Sequence, residues 1–290
     1  MSSPYFTTDD GDIILRASQE PVLTHDFRVH KFILSLASPV FKDMFTFSQP
    51  LDQTHNDQPD TPVVHVSDSP QILDTILRFV YPGVDLPTFT DLSTVSALLS
   101  AADKYNIRSM RPALRGALKS CIDIEPFRVY IVACRFGLWA EARAAARVLT
   151  SKTITLPTDY EKDVRHISGP DLYRLLLLFE SRENVGRARI QTFTSLDPGP
   201  DCENFYALLE MRLLDVFTKN PCMEFSDLNG VLDTLPDPPF GCKPEHRDMN
   251  GSETICPLRP SFIRSGLHLL AEDLAHQNDT MLERAFEKEF

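Results

Sequence analysis

The chain has no apolar run of about 18 residues, the length a helix needs to cross a bilayer, and its 290 residues carry 42% hydrophobic residues spread in short blocks. It has no basic run either. Its net charge is -12 and both halves are acidic, and nucleic-acid binding is driven by phosphate neutralisation, so the expectation is no nucleic-acid partner and no membrane. The opening "MSSPYFTTDDGD" is polar and acidic, without the charged-then-apolar pattern of a signal peptide. The expectation is a cytoplasmic or nuclear protein.

Nucleotide and nucleophile signatures are missing too. The chain holds no G-x-x-x-x-G-K-[ST], no G-x-G-x-x-G and no G-x-S-x-G, which excludes the phosphate-cradling loops and the nucleophile elbow. Its 11 glycines are scattered and read as caps and turns. No propeller or solenoid repeat is visible. The one tryptophan, Trp139, follows Leu138 in an apolar setting and is expected in a core. None of the 6 cysteines forms a C-x-x-C pair. Cys202, Cys222, Cys242 and Cys256, with His246 and His268, could supply metal ligands, but their gaps are long, and structural zinc takes ligands two to four residues apart. The expectation is no metal and no cofactor. The alternative is a metal-stabilised or catalytic protein using this C-terminal Cys/His set, with Cys242, His246 and Cys256 the first to test.

What is present is a sequence of short, well-punctuated elements. "DIILRA" (12–17) and "FRVH" (27–30) alternate and predict a hairpin joined by the polar "SQEPVLTHD". In "HKFILSLA", Ile33, Leu34 and Ala37 share one helical face. Ser38 can cap a second helix with Pro39 at its first position, and Val40, Phe41, Met44 and Phe45 line it. A polar, proline-rich loop follows (47–62), then the strand "VVHVSD". In "DSPQILDTILRFVYPG" the stripe is Ile72, Leu73, Ile76, Leu77 and Val80, and Pro82-Gly83 stops the helix. Leu98, Leu99, Ala102 and Tyr105 mark the next helix, and "SMRPALRGALKSCI" one more. Beyond residue 120 the pattern is helical throughout: "EPFRVYIVACRFG", "LWAEARAAARVLTSKTI" with the small-residue face Ala142, Ala145, Ala146 and Leu149, then "GPDLYRLLLLFESR", "NFYALLEMRLLDVF" and "SFIRSGLHLLAEDLAHQ". Residues 235–260 are rich in Pro, Gly and charge and read as a long loop.

The sharpest enzyme-like set is Asp26, His30 and Ser38. A Ser-His-Asp triad needs the serine oxygen to meet the imidazole. Eight residues of continuous helix span ~12 Å, and the serine is better used as a cap. The expectation is no catalytic residue and no enzyme, with His30 bonding locally at the strand-to-helix corner.

"VHKFILSLASPVFKDMF", "ILDTILRFVYPG" and "LLSAADKYNI" resemble the three signature blocks of the BTB/POZ domain, in order and at about the right spacing. The resemblance implies an α+β fold, a small sheet capped by helices over residues 10–120, followed by an all-α extension over 121–290. It implies a role in protein–protein contact. "DIEPFRVYIVACRFGLWAEARAAARVLTSKTI" is similar to the BACK-like helical tail of fungal BTB proteins. In the family, the end of the second helix and the loop after it face a cullin-type ubiquitin-ligase scaffold, which makes Met44, Phe45 and Leu51 the partner-binding candidates. The family's hydrophobic-x-Glu motif is replaced here by Leu51-Asp52-Gln53 after Pro50, so weak or no cullin binding is expected. Family homodimers exchange an N-terminal segment led by a helix, and the roughly eleven residues before "DIIL" are too few for it. Partners are expected to be proteins, with a homo-oligomer and a cullin scaffold as the two family options.

Overall fold

The fold below is a computed structural model covering residues 6, 10–19, 23–46, 61–86, 88–89, 91–151, 164–195, 203–220, 224–235, 245–247, 253–255 and 260–286. Two strands open it, β1 (Ile13–Gln19) and β2 (Leu23–Val29), paired antiparallel. Pairing runs past the apolar residues that signalled the strands, so the link between them is shorter than "SQEPVLTHD". Backbone ladders do not require apolar side chains at every rung. The third strand, β3 (Val63–Val66), lies parallel to β1 on its other side, giving the order β2-β1-β3. Ile13, Leu15, Ala17, Phe27, Val29, Val64 and Val66 are buried on alternate positions, the period-2 pattern of a sheet with one covered face.

Helices cover that face. α1 (Lys31–Ala37) and α2 (Pro39–Thr46) form a hairpin hinged at Ser38. α3 (Pro70–Val80) starts at Ser69, whose hydroxyl accepts from the Ile72 amide, and carries Pro70 in its first turn. α4 (Leu92–Lys104) is capped by Asp91. A short 3₁₀ turn (Arg108–Met110) leads into α5 (Arg111–Ser120). Leu34, Phe41, Leu73, Ile76, Leu77, Leu98, Leu99 and Tyr105 make the core between helices and sheet. Fully burying each such side chain is worth roughly 1.5–3 kcal/mol.

The chain divides into two compact units, Met1–Cys121 and Ile122–Phe290. The second is built from α6 (Pro126–Arg135), α7 (Trp139–Ser151), α8 (Gly169–Thr194), α9 (Glu203–Lys219), α10 (Phe225–Asp233) and α11 (Pro260–Phe286). Ala142, Ala145 and Ala146 are buried as the sequence predicts. Ile190, Leu209, Leu213, Phe217, Leu228, Leu267 and Leu270 form one apolar cluster joining α8 to α11.

Three expectations change here. α8 runs on through "ENVGRARIQTFT", where the apolar period weakens but Ile190 and Phe193 keep the inward face. Gly186 sits mid-helix because a Cβ there would lie 1.9 Å from the Phe217 ring. The unit is also not wholly α-helical. Within the stretch expected to be a long loop, β4 (Glu245–Arg247) and β5 (Glu253–Ile255) pair antiparallel. Strands of three residues are too short to show a period. Finally, Trp139 is half-buried rather than core, with the Arg174 guanidinium 5.5 Å over its ring. Among the described residues no helix is long and apolar enough to cross a membrane.

Candidate functional site

The α1–α2 hairpin is fixed from several sides. Asp12, just before β1, accepts from the Lys31 amide at 2.7 Å and so satisfies a donor that the start of α1 leaves open. The His30 amide donates to the Tyr81 phenol oxygen at 2.6 Å, and His30 Nδ1 lies 3.1 Å from the same oxygen. Burial foremost pushes the Tyr81 phenol up from its usual range, opposed by that amide. His30 Nε2 is 3.7 Å from Asp10.

Ser38 is fully buried. Its hydroxyl accepts from the Phe41 amide at 3.0 Å, the expected cap, and donates to the Tyr105 carbonyl at 2.6 Å. The second bond ties the hinge to the end of α4. Phe41 stacks on Tyr105 with centroids 4.5 Å apart and planes 8° from parallel. The Tyr105 hydroxyl donates to Asp68, which also takes the Lys104 ammonium at 2.6 Å. Burial, then the Asp68 hydrogen bond, raises the Tyr105 phenol well above its usual range.

The enzyme-like trio is thus not assembled. Asp26 is held by Arg16 Nε and Nη2 at 2.7 and 2.8 Å across the sheet, and that pairing holds its carboxyl below the usual range. His30 faces Tyr81, and Ser38 serves Phe41 and Tyr105. His30 therefore bonds a tyrosine distant in sequence rather than a local group.

Of the partner-binding candidates, Met44 and Phe45 are half-buried at the end of α2, and Phe45 stacks on Phe41 at 5.9 Å. Leu51 lies outside the described residues. The hairpin's most exposed apolar groups are two that the sequence reading passed over. Phe32 and Leu36 are 72% and 73% exposed on the outer side of α1. They sit at i, i+4, one face of a helix, while Leu34 between them points into the core. That spacing was the available signal.

Cys202, Cys222, Cys242 and Cys256 lie outside the described residues. His268 pairs with Glu272 on its own helix at 3.5 Å. Among the described residues no group of three His, Cys, Asp or Glu could hold a metal ion.

A three-stranded sheet is capped by a helical hairpin with Phe32 and Leu36 on its outward side, and Asp26, His30 and Ser38 each serve other partners. Residues 7–121 match the BTB/POZ domain family, and this part of the chain is a BTB/POZ domain. As a class this domain is a protein–protein interaction module and generally non-enzymatic. TD and POZ domain-containing protein 4 of Mus musculus is 31% identical over 105 residues, which is 36% of this chain and 26% of that protein. TD and POZ domain-containing protein 1 of Mus musculus is 33% identical over 97 residues, 33% of this chain and 25% of that protein. The chain spans about a quarter of the length of these curated relatives.

Proposed function

We propose that this protein is a non-enzymatic adaptor that binds protein partners through the α1–α2 edge of its BTB/POZ domain. The observation that carries the reading is the pair Phe32 and Leu36, large apolar groups presented to solvent one helical turn apart. Adjacent exposed apolar groups on a folded domain mark contact surfaces. Met44 and Phe45 at the end of the same hairpin extend the surface, and Leu51 is a further candidate by sequence alone. A second copy of the chain is one partner of the right chemistry. A cullin-type scaffold is bound weakly or not at all, because Leu51-Asp52-Gln53 offers no glutamate where that interaction wants one. The helical unit Ile122–Phe290 is the BACK-like extension of such an adaptor.

The test is affinity purification of the full chain and of a Phe32→Arg/Leu36→Arg variant, followed by mass spectrometry and measurement of solution mass. Losing one interface anchor typically costs about 2 kcal/mol or more, roughly thirtyfold in affinity. The main partners, or the dimer, should be lost while the melting temperature stays put. An unchanged partner set and mass would defeat the reading. A sub-micromolar complex with a cullin N-terminal region would defeat the cullin statement alone.

A further inference from the structure

A second edge of the domain is built to take a strand. β2 is an end strand of the sheet. Its register against β1 pairs Ile14 with Arg28, Arg16 with Asp26 and Ser18 with Thr24. The Arg28 amide turns away from β1 and donates to the Phe6 carbonyl at 2.9 Å. Antiparallel ladders alternate, so the amides of Asp26 and Thr24 turn the same way. Outward amides and carbonyls on an end strand are a template for another extended chain.

Phe6 shows what the edge accepts. Its ring is 2% exposed, set edge-on to Tyr81 with centroids 5.1 Å apart and tilted against Phe27 at 6.5 Å. Aromatic pairs favour such tilted and edge-to-face arrangements. Gly11 lies close against the end of β2: a Cβ there would lie 2.7 Å from the Val29 nitrogen. One residue of the chain therefore combines a strand-type bond to the edge with an aromatic anchor in a pocket.

We propose that the outer edge of β2, together with the Phe27–Tyr81 pocket, is a strand-addition site for an extended, aromatic-bearing segment of a partner protein, and that Phe6 occupies it in cis. Strand addition draws affinity from main-chain bonds and selectivity from side-chain pockets. The partner's carbonyl would take the Arg28 amide and its ring the place of Phe6. A tethered occupant competes at an effective concentration in the millimolar range, so the site is masked until Phe6 leaves. This surface is separate from Phe32 and Leu36 and does not depend on the role given to them.

The experiment uses the full chain and a fluorescent peptide copying residues 1–10, MSSPYFTTDD, followed by anisotropy. The wild-type chain should bind it weakly. Phe6→Ala should bind it about tenfold or more tighter, since the tethered competitor is gone. On that background Arg28→Pro, which removes the outward amide at an end-strand position where proline is tolerated, should weaken binding by about tenfold, the worth of one hydrogen bond. Arg28→Ala should keep the binding. Should Phe6→Ala fail to fold, Phe6→Leu replaces it, with a gain of about threefold expected from the lost ring contact. A folded variant that gains nothing, or an Arg28→Pro change without effect, overturns the proposal. A wild-type dimer that dissociates on Phe6→Ala would put a second copy on the edge and overturn the partner reading.

Discussion

In the first unit, side-chain hydrogen bonds join residues far apart in sequence: Ser38 to Tyr105, His30 to Tyr81, and Tyr105 and Lys104 to Asp68. In the second unit most of them close within one helical turn, as in Thr150 to Ala146, Arg187 to Glu183 and Lys219 to Asp215. The exceptions include Tyr130, which donates to the Asp171 carbonyl, and the ion pairs Arg147–Asp279 at 2.9 Å and Arg189–Asp273 at 3.2 Å. The first unit thus has its tertiary arrangement set by directional bonds as well as packing. The second relies more on the fit of apolar helix faces, of which Gly186 against Phe217 is the tightest example. A BTB/POZ hairpin held at its start and at its hinge can present one fixed face. A stack of helices joined by shape resists changes of volume at its buried faces.

The largest effect is expected at the shared core of the first unit. Phe41→Ala removes a fully buried ring stacked on Tyr105 and should cost about 3–5 kcal/mol in a denaturant titration, a large share of a domain's stability. Ser38→Ala should cost about 2–4 kcal/mol: the lost cap accounts for ~1 kcal/mol, and the Tyr105 carbonyl left buried without its donor adds roughly 1–3 kcal/mol. A loss of only the cap's size would mean that the bond across to α4 contributes nothing, and the contrast between the units would narrow.

Gly186→Ala sharpens the contrast from the other side. A helix-interior alanine normally gains about 1 kcal/mol over glycine, but here the methyl meets the Phe217 ring, and overpacking costs about 1–3 kcal/mol. The expected outcome is a net loss, part of which Phe217→Leu in the same chain restores. Additive single and double changes would show that the two residues are not coupled.

The smallest effects are in pH. Burial raises the phenols of Tyr105 in the first unit and Tyr130 in the second. A folded pKa above the unfolded value of about 10 means stability that is complete below that pH and lost as pH rises beyond it. Tyrosinate absorbance should therefore appear together with unfolding above about pH 10, rather than before it. Asp26 has the opposite sign: its lowered carboxyl contributes above the usual carboxylate range, and the contribution fades as pH falls through its folded value. The group is largely exposed, so Asp26→Asn should change acid stability only slightly.

Much of this was legible in the residues. The hinge at Ser38-Pro39, the stop at Pro82-Gly83 and the buried stripe of α3 follow from local rules, because caps, prolines and periodicity act within a few residues. The second bond of Ser38 and the His30–Tyr81 contact were not legible, since they depend on a neighbour that only the folded chain supplies. The full length of α8 was missed because its second half signals through Gly186, which reads as a breaker until Phe217 is seen against it. Phe32 and Leu36 were overlooked for a different reason. Attention to the inward face of α1 leaves its outward apolar residues looking like noise.

The strand order carries an implication for time. β1 and β2 are close neighbours in sequence, but β1's parallel partner β3 arrives only after α1, α2 and the chain beyond them. Closing a longer loop costs more entropy before any contact repays it, and non-local pairings slow folding. The β1–β2 hairpin and the α1–α2 pair are therefore expected to form first, with Val64 and Val66 docking last. Low φ-values at those two valines, beside higher ones at Leu15 and Phe27, would show it. Until β3 docks, β1 offers a bare edge to the surrounding solution, and the nascent domain is at its most vulnerable to the wrong strand.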